Sequence, residues 1–280
     1  MGVNKRLIGA GATDTGGGGG AVTADSHFKA ITYTGSGSSK QIGGLNFQPD
    51  LVWIKRTDSG SDHNLTDSSR GVQKLLVSNS NAAQANQSPL GLTSFDTSGF
   101  TINDNSGGGA GVGASSGDYV DWCWHGNGGN TSTNSVGDIT STVQANQPAG
   151  FSITTYQNNG NASFRVGHGL GVTPKICLVK KYSVSASWHF MTTAIDGSFD
   201  DIILNGTSAK VDLSLTAPTD TTFAAESGGN GEDMICYSFA DVEGYQKIGS
   251  YTGDSGTSHS ITTGFKPAFL LIRRTDSGRS

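Results

Sequence analysis

The sequence predicts an all-β protein: tandem sandwich or jelly-roll-like modules behind a flexible N-terminal arm. Three observations lead there. Glycine fills 42 of 280 positions, with Ser, Thr and Asn abundant beside it. These residues form helices poorly, and Thr favours strands. Short apolar or alternating runs of strand length recur between Gly/Ser/Asn turns. Those runs also repeat along the chain. Hydrophobic residues make up only 34%, but they cluster in the runs, which leaves enough apolar surface for real cores.

Residues 1–27 read as an arm. Gly16–Gly20 is an unbroken glycine run, a flexible linker that cannot build a core. The short basic and apolar peptide before it, Lys5, Arg6, Leu7 and Ile8, is either a disordered terminus or a docking peptide that tethers the modules to a partner. From Phe28 the texture changes. Phe28–Thr34 alternates as a strand does and ends in the turn Gly35-Ser36-Gly37. Leu51–Lys55 is an apolar run behind Pro49, a buried strand with proline at its entrance. Tyr119–Trp124 puts Tyr119, Asp121 and Cys123 on one face and Val120, Trp122 and Trp124 on the other. Asp67–Val77 is the best helical candidate, on a weak pattern.

The repeats set the domain organisation. Phe47–Gly60 recurs as Phe265–Gly278, an offset of 218 residues, and Tyr33-Thr34-Gly35 recurs as Tyr251-Thr252-Gly253 at the same offset. A diverged copy, Val172–Lys180, aligns Pro174 with Pro49 at an offset of 125. Phe151–Tyr156 echoes Phe28–Tyr33, and Ile235/Tyr237/Phe239 echo Val120/Trp122/Trp124. The expected units are 28–130, 150–247 and the opening of a third at 248–280. The third breaks off after the strand that opens its core, so a longer chain or a partner is expected to complete it.

Chemistry-bearing motifs are weak. Gly113-Ala114-Ser115-Ser116-Gly117 fits a nucleophile-elbow pattern but lacks the strand–turn–helix context. Gly253-Asp254-Ser255-Gly256 reads as a turn, because its first copy, Gly35-Ser36-Gly37, lacks the Asp. Gly167–Gly171 has no helix behind it to hold a phosphate. Asp58, Asp62 and Asp67 could line a calcium loop, although Asp-rich turns are common without ions. The six histidines show no ligand spacing. No catalytic, cofactor or metal residues are therefore assigned. Cys123, Cys177 and Cys236 fall in strands and are expected as buried thiols. Trp53 and Trp122 are assigned to the core. Trp188 follows the polar loop Ser183–Ser187 and is left open between core and a sugar-stacking surface residue.

Composition also excludes partners. A net charge of −5 with scattered basic residues leaves no footprint for nucleic acid. No apolar run reaches the 18 residues that a spanning helix needs, and the N-terminus lacks the apolar core of a secretory signal.

As a set, Phe28–Gly35, Phe47–Lys55, Leu92–Phe100, Tyr119–Trp124, Gly137–Val143 and Val242–Tyr245 resemble a repeated β module of tailed-bacteriophage virion proteins, especially marine ones, described as tail fibres or receptor-binding proteins. The resemblance covers residues 28–280. It implies a structural virion component, assembled in the host cytoplasm, with residues 1–27 attached to tail adaptor or nozzle proteins. A distal part would contact a host surface glycan or protein. By analogy with phage fibres, a homotrimer is expected. A head-attached fibre or decoration protein is the alternative. A glycan-cleaving tailspike would need converging carboxylates that the sequence does not display.

Overall fold

The computed structural model describes residues 22–104, 110–226, 228–253, 258 and 260–276. The first module contains β1 (Phe28–Thr34), β2 (Lys40–Gly43), β3 (Leu51–Arg56), β4 (His63–Asp67), β5 (Lys74–Val77), β6 (Ala85–Asn86), β7 (Gly91–Asp96), β8 (Gly99–Asn103) and β9 (Asp118–Trp124). The second contains β10 (Ser132–Asn134), β11 (Ser141–Asn146), β12 (Phe151–Gln157), β13 (Ser163–Gly167), β14 (Ile176–Lys181), β15 (Trp188–Thr192), β16 (Asp200–Ile203), β17 (Val211–Asp212), β18 (Thr222–Glu226) and β19 (Asp233–Phe239). Helix is confined to a single 3-10 turn, Ala24–Ser26, among the described residues. The all-β expectation holds.

Each module is a two-layer sandwich. In the first, the large sheet β1-β9-β3-β4-β5-β6 faces the small sheet β2-β8-β7. Strand alternation decides what lies between them. Val52, Ile54, Tyr119 and Cys123 point inward and meet Ile42, Leu92, Phe100 and Ile102 of the small sheet. In the second, β12-β19-β14-β15-β16-β17 faces the ribbon β13-β18, with Cys177, Val179 and Met191 against Phe164, Val166 and Phe223. β10 and β11 lie between the two expected modules and extend the second large sheet.

The repeats fall into register. Phe28 and Leu51 both pair with Trp124, while Phe151 and Ile176 both pair with Phe239. The two modules therefore share one strand order, and the offsets read from the sequence join residues that occupy the same place in each sheet.

The large sheets then pack on each other. Leu51, Trp53, Leu65, Leu76 and Trp124 of the first form one buried cluster with Phe151, Ile153, Leu178, Trp188, Ile235 and Tyr237 of the second. The order through the molecule is small, large, large, small. Polar-outward alternation is thus suspended on both faces of both large sheets, and the strand interiors read as continuous apolar runs such as Leu51-Val52-Trp53-Ile54.

Two expectations are corrected. Asp67–Val77 is the end of β4, a tight turn and β5, not a helix. Gly71 takes φ 98° there, a conformation that breaks a helix. The repeat Phe265–Asp276 forms no strand among the described residues. Its Phe269 instead packs against Phe28, Trp53, Trp122 and Trp124.

Candidate functional site

The seam between the modules carries the densest buried chemistry. Arg70 follows the β4 turn, which folds it back so that its Nε lies 2.6 Å from the Asp67 carboxylate, both side chains being buried. Asp67 also receives Tyr237 Oη at 2.7 Å from β19 of the other module. Arg70 Nη1 donates to Gln84 Oε1, and its guanidinium lies 5.9 Å from the centre of the Tyr182 ring. Burial, followed by the neighbouring Asp67 charge, pushes the Tyr237 hydroxyl well above its usual range, so it stays a donor. A buried ion pair is costly to desolvate but costs more to break. Together these bonds tie the turn after β4 to β19 of the second module.

Around it the backbone of the β5–β6 turn meets β14 and β15. Lys180 is buried and its ammonium donates to Asn81 O and Ala186 O. Burial pulls its pKa down to about 8. Gln84 N donates to Tyr182 O. Gln144 Nε2 spans to Ser68 and Ser69, and Asn146 Nδ2 to His125 O.

Trp188 belongs to this seam. It is fully buried, its indole donates to Val77 O at 2.9 Å, and it stacks on Tyr237. No face is free for a sugar ring, so of the two readings left open the glycan contact is overturned and Trp188 is core. The polar loop before it leaves that choice open in the sequence. Lys5, Arg6, Leu7 and Ile8 lie outside the described residues. The calcium loop does not assemble: Asp58 pairs with Arg56, Asp62 receives Asn79, and Asp67 faces the seam. Trp53 and Trp122 take part in the core cluster, and all three cysteines are buried and free. His168 is buried in its loop, bonded to Thr219 O and receiving Leu170 N.

A second polar cluster sits where β16 begins and pairs with β17. Asp196, Asp200 and Asp212 bring carboxylate oxygens within 4.8 Å of one another. Lys210 Nζ lies among them, 2.8 Å from Asp196 and 2.7 Å from Asp200, and also bonds Asp212. The hydrogen bond from Lys210, ahead of the other contacts, holds Asp196 well below the usual carboxylate range. The chain supplies its own cation there. Elsewhere, a shallow groove lined by Asn127, Thr133, Asn134, Gln147 and their neighbours has only uncharged residues on its walls. Such walls can bind a polar surface through amides and hydroxyls but offer no acid or base.

A family model described as a domain of unknown function (DUF7483) matches residues 23–280. The chain belongs to this family. No curated protein and no solved structure matches it. The DUF7483 match takes in both sandwiches and the segment that carries Phe269, so the family unit is larger than either module.

The seam of this DUF7483 protein is not legible in the sequence. Alternation places Tyr237 on the correct face of its strand, but nothing in a single sequence says what that face meets. Asp67 and Tyr237 are 170 residues apart, and only packing brings them together.

Proposed function

We propose that the protein is a structural component of a tailed-phage virion. It serves as a tail fibre whose N-terminal residues hold it to the tail and whose distal surface meets the host. The observation that carries this reading is the duplicated sandwich locked by one buried seam. Tandem β modules that bury their large sheets against each other make a stiff unit suited to bearing load. The free, buried thiols suit folding in a reducing cytoplasm, since nothing in the two cores depends on a disulfide among the described residues. The uncharged groove near Asn134 suits a polar host surface. The resemblance to virion β modules supplies the context.

Immunogold electron microscopy with antibody to residues 28–130 tests it. Label on the tail is the expected outcome. Label on the capsid transfers the protein to the decoration class, and absence of label from virions overturns the reading. A protein lacking residues 1–20 is expected to fold and remain soluble but to be missing from purified virions. Normal incorporation would remove the anchoring role.

A further inference from the structure

Residues 265–276 repeat the central strand of both modules, yet they form no strand. Leu270, Leu271 and Ile272 are 65%, 44% and 66% exposed. Their counterparts Val52, Trp53 and Ile54, and again Cys177, Leu178 and Val179, are all buried. An apolar triplet that is core in two copies is laid open in the third.

The contacts this segment makes are a repeat in themselves. Where module 2 meets module 1, Lys180 Nζ donates to Asn81 O in the β5–β6 turn, and Gln84 N donates to Tyr182 O. Residues 273 and 275 are the third-copy equivalents of 180 and 182, each 93 further on. Arg273 Nη2 donates to Gly206 O at 2.6 Å in the β16–β17 turn, the counterpart of the β5–β6 turn. Lys210 N donates to Thr275 O at 2.8 Å, and Lys210 begins β17's approach as Gln84 begins β6's. The third segment thus sits on module 2 as module 2 sits on module 1.

The same segment also touches module 1. Phe269, equivalent to Leu51 and Ile176, lies 5.4 Å from Trp122 and from Trp124 between ring centres, and near Phe28 and Trp53. A chain of modules stacked in a line would not return to the first. One that turns by about a third of a circle at each step does.

We infer that the open face formed by residues 269–272, beside the half-buried Phe28 and Trp122, takes the large sheet of a third module of this same class. That module is continuous with residues 265–276, so that three large sheets close around one shared core with pseudo-threefold symmetry. The closing contact belongs to Lys55, the first-copy equivalent of Lys180 and Arg273. Its ammonium is held by Ser59 O and Ser61 O of its own loop, as Lys180 is held by Ala186 O. In the closed ring it also reaches the β5–β6-type turn of module 3.

The inference stands apart from the virion reading and has its own test. Gly278 is equivalent to Gly60, so residues 61–130 appended after Gly278 supply the β4- to β9-type strands of a third module. Hydrogen exchange and light scattering are then read on this extended chain and on the 280-residue chain. The expected result is a monomer in both. In the extended chain the amides of 269–273 slow at least about a hundredfold, as for strands in a sheet. In the 280-residue chain the Lys210 amide already exchanges at least about tenfold slower than a free amide, and it loses that protection when residues 265–280 are removed. An unprotected Lys210 amide overturns the packing on module 2, whether or not the graft folds. A 280-residue chain that dimerises with 269–273 protected gives the face to a second copy and overturns the closed ring. So does an extended chain whose modules 1 and 2 are protected while 269–273 exchange freely.

Discussion

Asp121 carries a conflict between charge and burial. It is fully buried on the inward face of β9, near Tyr33 and Tyr119, and both its oxygens lack hydrogen-bond partners. Desolvation raises its pKa well above the usual carboxylate range. The fold therefore favours the protonated form. The stability Asp121 allows is fully present below about pH 4 and falls by about 1.4 kcal/mol per pH unit until its raised pKa is passed. Module 2 places Cys236 at the equivalent position. Asp121→Cys, in reducing buffer, is expected to gain about 1–3 kcal/mol at neutral pH and to flatten the slope above pH 4. Urea midpoints across pH 4–8 check both, and an unchanged slope would show that the charge is accommodated. Lys180 has the opposite sign. Its folded pKa of about 8 lies below the ordinary lysine value, so the unfolded chain binds the extra proton and stability rises between about pH 8 and pH 10.5. Lys180→Met should abolish that rise. Trp188→Ala should cost about 3–5 kcal/mol by opening a cavity in the seam, read as a drop in the urea midpoint. An unchanged urea midpoint would restore its surface role.

At the scale of elements, strands with a β-branched or aromatic alternation are legible at once. Phe28–Thr34, Leu51–Lys55 and Tyr119–Trp124 all lie where the pattern puts them. The β4–β5 hairpin is not. Asp67 Oδ1 accepts the Arg70 backbone amide across the turn while Oδ2 takes Arg70 Nε and Tyr237 Oη, so the carboxylate closes a hairpin turn and a long-range contact rather than starting a helix. Turns are held by specific backbone approach, which composition does not reveal. At Gly35 an added Cβ would lie 2.2 Å from Ala114 O, where the loop after β8 crosses the end of β1. Gly35 N donates to Gly117 O and Gly35 O accepts from Ser116 N. Gly35→Ala is expected to destabilise by about 2–3 kcal/mol and to speed hydrogen exchange at Ser116 and Gly117. A fully stable variant with unchanged exchange would mean that the crossing yields easily.

At the scale of the molecule, one buried cluster and its polar seam join the two sandwiches. Breaking the seam at its charge pair should expose that coupling. Asp67→Asn leaves Arg70 buried without its counter-charge and is expected to cost about 3–5 kcal/mol. It should also separate one thermal transition into two as the modules uncouple, which differential scanning calorimetry would detect. A single transition, merely shifted, would place the coupling in the apolar cluster instead. The duplication is readable because matching offsets recur along the chain, and in the two sandwiches Phe28, Leu51 and Trp124 pair as Phe151, Ile176 and Phe239 do.

The all-β class, the repeat and the two faces of strands such as Tyr119–Trp124 can be read from the sequence. These depend on local propensity and on a side-chain period of two, both written in neighbouring residues. Which face met which was decided only by the tertiary structure. Trp188, Tyr237, Asp67 and Phe269 carry no local mark of their partners. Each large sheet has two apolar faces, and only the packing of one module on the other settles which surface is buried and which is left open.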